Sequence, residues 1–159
     1  MDSKLKVGDL LYRRKGIFDH VGVYMGNNQV FHNSPSGDTE VVSYHDYAEC
    51  KAVSVVAIGH HNSPELIARL EVMLLADSRY HPAANNCEHI ANELIHGRRY
   101  SPQLQAGVIC AGLAGLISWK SQKGSPLLMM LTGAISGCLL SNAIRKYDGR
   151  VPASLPAAV

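Results

Sequence analysis

Charge of either sign is scarce in this sequence, and so are aromatic rings. Charged residues make up 18% of the 159, with 15 Lys and Arg against 13 Asp and Glu. A formal net charge of +2, with no basic run interleaved with aromatics, argues against a nucleic-acid partner. The apolar share of 47% excludes a disordered chain. The start, Met1-Asp2-Ser3-Lys4-Leu5-Lys6, lacks the apolar run of a secretory leader, so an intracellular protein is expected. The four cysteines, Cys50, Cys87, Cys110 and Cys138, form no CxxC pair, and two lie in apolar C-terminal segments. No disulfide framework is expected, and a reducing compartment is. Histidines are more frequent but unhelpful for a metal. His60 and His61 are adjacent, and Cys87 and His89 point to different sides of a helix, so neither metal nor cofactor is expected.

What is present reads as strands first, helices later. Val7 to Tyr12 predicts a strand ending at Arg13-Arg14-Lys15-Gly16, a cluster expected in a solvated loop that would suit an anionic surface. Phe18 to Met25 alternates, with Val21, Val23 and Met25 on one face and His20, Gly22 and Tyr24 on the other. Gly26-Asn27-Asn28 is turn chemistry, and Gln29 to Asn33 is the return strand. Loop length decides the pairing. A three-residue loop pairing Met25 with Gln29 sets Gly22 opposite His32, with His20 on the same face. A two-residue Asn27-Asn28 turn flips the parity and separates the histidines.

Thr39 to Ser43 predicts a third strand, followed by one helical turn over Tyr44–Ala48. Ala52 to Ile58 is β-branched and reads as a buried strand closed by Gly59-His60-His61-Asn62. Ser63 caps a helix with Pro64 at its first position and an apolar stripe of Leu66, Ile67, Leu70, Met73 and Leu74. Tyr80 to Ala84 is a linker. A second amphipathic helix opens at Cys87 with Asn86 or Asn85 as its N-cap and ends at Gly97. Its first turn, with free N–H groups and a positive dipole end, should lower the thiol pKa of Cys87.

After Arg98-Arg99 the composition changes. Residues 104–119 and 126–144 are nearly or wholly uncharged and rich in small residues, including Gly133-x-x-x-Gly137. Each run is marginal for spanning a bilayer, and together they predict a membrane-associated helical hairpin. The expected division is a catalytic domain over 1–100, the hairpin over 101–149 and a flexible tail over 150–159.

A thiol hydrolase needs a thiolate, an imidazole to share its proton and a group to orient that imidazole. Cys87, His20 and His32 supply them: nucleophile, general base and later acid, and orienting residue. The Cys87 backbone N–H is placed to help hold an oxyanion.

Asp19-His20-Val21-Gly22-Val23-Tyr24-Met25-Gly26, Val30-Phe31-His32 and Asn86-Cys87-Glu88-His89 resemble the H-box and NCEH box of the lecithin:retinol acyltransferase (LRAT)-like, or H-rev107-like, family of the NlpC/P60 superfamily. Val7-Gly8-Asp9-Leu10 is similar to that family's first strand, so the resemblance covers about residues 6–97. It implies an α+β, circularly permuted papain-like fold: an antiparallel sheet packed on helices, here with apolar C-terminal helices added. It also implies acyl transfer from a glycerophospholipid through a thioester on Cys87, with His20 as base and His32 as the third polar residue. The partners it implies are an acyl lipid and, through residues 104–144, the cytoplasmic side of a membrane. Three positions depart from the family pattern: Phe18 where Tyr is frequent, Asp19 for a basic residue, and Val21 for an aromatic. The family's retinol-specific insert is absent. Two other readings compete: an NlpC/P60-type cysteine peptidase or amidase, and a non-catalytic H-box/NC interaction protein.

Overall fold

Apolar–polar alternation through the first third of the chain builds one antiparallel sheet. The computed structural model describes residues 5–16, 18–34, 38–58, 63–76, 80–122 and 124–154. Along them run β1 (Leu10–Lys15), β2 (Phe18–Gly26), β3 (Gln29–Ser34), β4 (Asp38–Ser43), α1 (Tyr44–Ala48), β5 (Val53–Val56), α2 (Pro64–Leu75), α3 (Cys87–His96), α4 (Pro102–Ser121), α5 (Pro126–Ala143) and β6 (Gly149–Val151). The sheet order is β4-β3-β2-β1-β5-β6. The chain divides into two units: residues 1–100 with 146–159, and residues 101–145.

In the first unit each sheet face has its own core. Leu10, Val21, Val23 and Phe31 meet Leu66 and Met73 of α2 and Ile90, Ala91, Leu94 and Ile95 of α3. Leu11, Tyr24, Val30, Val53 and Val55 meet Tyr44, Tyr47 and Ala48 of α1 on the other face. Ser63 caps α2 by accepting from the Leu66 N–H at 3.2 Å. Arg69 of α2 donates to Leu94 O at 2.7 Å and Ile95 O at 3.2 Å, satisfying late carbonyls of α3. The α2 stripe is narrower than its periodicity implies, since Ile67 and Leu74 stay 47% and 44% exposed.

Three expectations need correction. The basic cluster is not a loop: β1 runs through Arg13, Arg14 and Lys15. Arg13 is only 2% exposed because it pairs with Glu49 and lies 5.3 Å from the Tyr47 ring centre. The hairpin turn is the two-residue one, Asn27-Asn28, with Gly26, Asn27 and Asn28 all left-handed at φ 86°, 48° and 58°. The histidines nevertheless stay together, because a bulge between Tyr24 and Gly26 absorbs one residue and restores the Gly22–His32 pairing. Finally, residues 150–154 are not a loose tail. Val151 is buried in β6 against β5, and Tyr44 donates its hydroxyl hydrogen to Pro152 O at 2.8 Å. Gly59-His60-His61-Asn62 and residues 155–159 lie outside the described residues.

In the second unit, α4 and α5 pack through small residues. A Cβ on Gly133 would come within 2.6 Å of Cys110 O, and one on Gly137 would meet Ala106 O. Gly107 similarly abuts the Cys138 sulfur.

Candidate active site

Tyr47 is the floor of the histidine cluster. It is fully buried, and its hydroxyl donates to Leu11 O at 2.6 Å, with His20 O 3.1 Å away. The two imidazoles lie against its ring, His20 tilted with centroids 5.7 Å apart and His32 edge-on at 5.5 Å. Gly22 makes this possible. A Cβ there would lie 2.8 Å from Tyr47 Cε2 and 2.7 Å from Val30 Cγ1.

The paired register of β2 and β3 brings the histidines into contact. His20 Nε2 and His32 Nδ1 are 3.0 Å apart, with ring planes at 90°. His32 Nε2 in turn lies 3.6 Å from Glu40 Oε1. The carboxylate favours a proton on that nitrogen, so His32 Nδ1 is the acceptor and His20 Nε2–H the donor. This tautomer leaves His20 Nδ1 with a free lone pair.

Cys87 packs against the core on the other face of the sheet. The β2–β3 ladder runs from the turn to the Gly22–His32 pair. At the next residue, Val21, the backbone lies beside the Cys87 sulfur and favours its thiolate. The thiol therefore sits one residue along the strand from His20, near enough for its charge to help push the Tyr47 hydroxyl upward, after burial. Three contacts fix the start of α3. Asn33 Nδ2 donates to Asn85 O at 2.8 Å, tying β3 to the residue before the cap. Asn86 Oδ1 accepts from the His89 N–H at 3.0 Å, and His89 Nδ1 closes the reciprocal capping contact to Asn86 N. His89 is thus a capping residue of α3.

Electrostatics keep all three groups neutral at rest. Burial, then His32, Arg13 and Lys15, lower the His20 pKa to about 3. Burial, Arg13 and Lys15 take His32 to about 4. Burial also raises the Cys87 thiol above its ordinary value, although the N–H groups of Val21, Glu88 and Cys87 itself pull it down. The helix start does favour the thiolate, as expected, but desolvation outweighs it.

Of the three residues singled out in the sequence, His20 and His32 are in direct contact, and Cys87 lies beside the backbone of Val21, the residue after His20. Sequence reasoning missed Arg13, Glu40, Tyr47 and Asn33. Their roles depend on pairings across the sheet; in the sequence Arg13 stood out only as part of a basic cluster and Asn33 only as the neighbour of His32. The profile of the NlpC/P60 family matches residues 1–57. That stretch covers β1 to β5, both histidines included, and ends before Cys87. No curated protein matches the chain. The α+β architecture, an antiparallel sheet packed on helices, agrees with the papain-like fold of that superfamily, which contains cysteine-dependent enzymes.

Proposed function

We propose that the chain is an LRAT-like thiol acyltransferase and phospholipase A-type hydrolase, acting through an acyl-thioester on Cys87. The observation that carries this reading is the 3.0 Å His20–His32 contact, which engages His20 Nε2 and leaves Nδ1 as the proton acceptor. In this reading Nδ1 takes the Cys87 proton as the sulfur attacks the ester carbonyl of a glycerophospholipid. First-turn N–H groups of α3, that of Cys87 among them, hold the oxyanion. As the intermediate collapses, protonated His20 delivers its proton to the departing lysophospholipid oxygen. His20 then removes a proton from water, or from an acceptor hydroxyl or amine, which attacks the thioester and frees the thiolate. His32 keeps the required tautomer throughout. The hairpin over residues 104–144 seats the protein on the cytoplasmic side of a membrane, where the lipid is. Its α5 is, among the described residues, the one helix long and apolar enough to cross a bilayer.

A cysteine amidase or peptidase is the second reading, favoured by the NlpC/P60 match over residues 1–57. Intact-protein mass spectrometry after incubation with phosphatidylcholine vesicles separates the two. An acyl adduct that disappears in Cys87→Ala, with release of lysophosphatidylcholine, supports the lipid reading. Cleavage of amide substrates without adduct or lysolipid would replace it with the amidase. His20→Ala should lower turnover at least about a hundredfold, as loss of a general base does; full activity would remove His20 from the mechanism.

A further inference from the structure

The hairpin unit is packed inside out for a soluble structure. Its small residues form the α4–α5 contact, while its large apolar side chains face outward, with Trp119 75% and Leu127 77% exposed. Such packing suits a medium as apolar as the side chains themselves. At about 1.5 Å per residue, the 20 residues of α4 and the 18 of α5 measure roughly 30 and 27 Å. A bilayer's hydrocarbon core is about 30 Å thick. Trp119 and Lys120 stand at the end of α4, residue types that settle at a headgroup boundary.

Connectivity then restricts the arrangement. Residues 1–100, before the hairpin, and 146–159, after it, belong to one unit. Val53, Ser54 and Val55 of β5 pair with Val151, Arg150 and Gly149 of β6. The Asp148 N–H donates to Val55 O at 2.8 Å, and Asp148 Oδ2 accepts from Ala57 N at 2.9 Å. A single membrane crossing would strand β6 on the opposite side from β5 and break these contacts.

We propose that α4 and α5 cross a phospholipid bilayer together as a two-pass hairpin: α5 is apolar enough to cross by itself, and α4, whose Gln103, Gln105 and Lys120 make it less apolar, crosses packed against α5. The catalytic unit and the C-terminus lie on one side and the 122–125 connection on the other. This rests on the membrane-seated reading above and adds its topology.

The test uses the full-length chain, synthesised cell-free with vesicles of phosphatidylcholine and phosphatidylglycerol. In a background free of the native cysteines (Cys50→Ser, Cys87→Ala, Cys110→Ala, Cys138→Ala), one cysteine is added at the connection (Ser125→Cys) or in the tail (Ser154→Cys). Flotation reports membrane binding, and a bilayer-impermeant maleimide reports sidedness. The proposal expects flotation, full labelling at 154, and at least tenfold slower labelling at 125 until detergent opens the vesicles. Equal labelling at both sites on floating vesicles would mean that the helices lie on the surface, overturning the topology and leaving the membrane reading intact. Protection at 154 would also overturn it, in favour of one crossing. Failure to float would overturn both readings.

Discussion

His20 and His32 are held without charge, and that has a pH signature. Unfolded, each imidazole binds a proton near its ordinary value of 6.5; folded, His20 does so only near 3 and His32 near 4. Between these values the unfolded chain binds more protons, so stability is fully present above about 6.5 and falls as pH drops towards 3. The upper bound is roughly 1.4 kcal/mol per pH unit for a fully sequestered histidine, less for the more open His32. Thermal midpoints from pH 7.5 to 4.5 should therefore fall more steeply in the wild type than in the His20→Gln, His32→Gln double variant. Equal slopes would mean that other groups govern acid sensitivity. The raised thiol has its own signature. Alkylation of Cys87 by iodoacetamide should still be accelerating at pH 8.5, because little thiolate forms below the ordinary thiol range. A rate already flat at pH 6.5 would instead reveal a preformed thiolate–imidazolium pair. That His20 and His32 can share a face, and that Cys87 opens a helix, was legible from the sequence; their protonation was not. A helix start is local and visible in Asn86-Cys87, whereas the burial that overrides it comes from strands over fifty residues away.

The β2–β3 hairpin shows how much an element depends on one residue without a side chain. Gly22 is the partner of His32, and the space it leaves is filled by the Tyr47 ring. A methyl group there would collide with Tyr47, whose hydroxyl is anchored on Leu11 O, and with Val30. Gly22→Ala should cost about 1–3 kcal/mol as overpacking and cut hydrolysis at least tenfold by displacing the imidazoles. Urea unfolding and a lysolipid assay check both parts; unchanged values in each would mean that Tyr47 yields freely. The alternation of β2 and β3 was readable, and so were the caps at Ser63 and Gly97, whereas the cap of α3 was narrowed only to Asn85 or Asn86 and proves to be Asn86. The bulge was not, because Met25 is equally apolar whether it is paired or extra. Nor was the length of β1, since a buried arginine looks exposed until Glu49 and Tyr47 arrive from α1 and the residue after it.

At the scale of the whole chain, the last strand decides what a truncation would measure. Gly-Arg-Val carries no strand pattern of its own, so β6 is invisible in the sequence; it exists because β5 offers it an edge. Cutting the chain after Tyr100 would remove the hairpin and also uncover β5, empty the Val151 site and leave the Tyr44 hydroxyl without Pro152 O. From one buried valine and two or three hydrogen bonds, that loss is about 3 kcal/mol, a large part of a small domain's stability. Loss of membrane binding in such a truncation could therefore come from unfolding alone. Replacing residues 101–145 with a Gly/Ser linker of about 20 residues, with a reach of roughly 25 Å, keeps β6 available. This variant should leave the membrane fraction, unfold cooperatively with a midpoint close to the full chain, and retain hydrolysis of a soluble short-chain ester to within about threefold. The truncation after Tyr100 should lose both stability and ester hydrolysis. If both variants are equally stable, β6 contributes nothing; if the linked variant still floats with vesicles, the membrane-binding surface belongs to the catalytic unit and not to the hairpin.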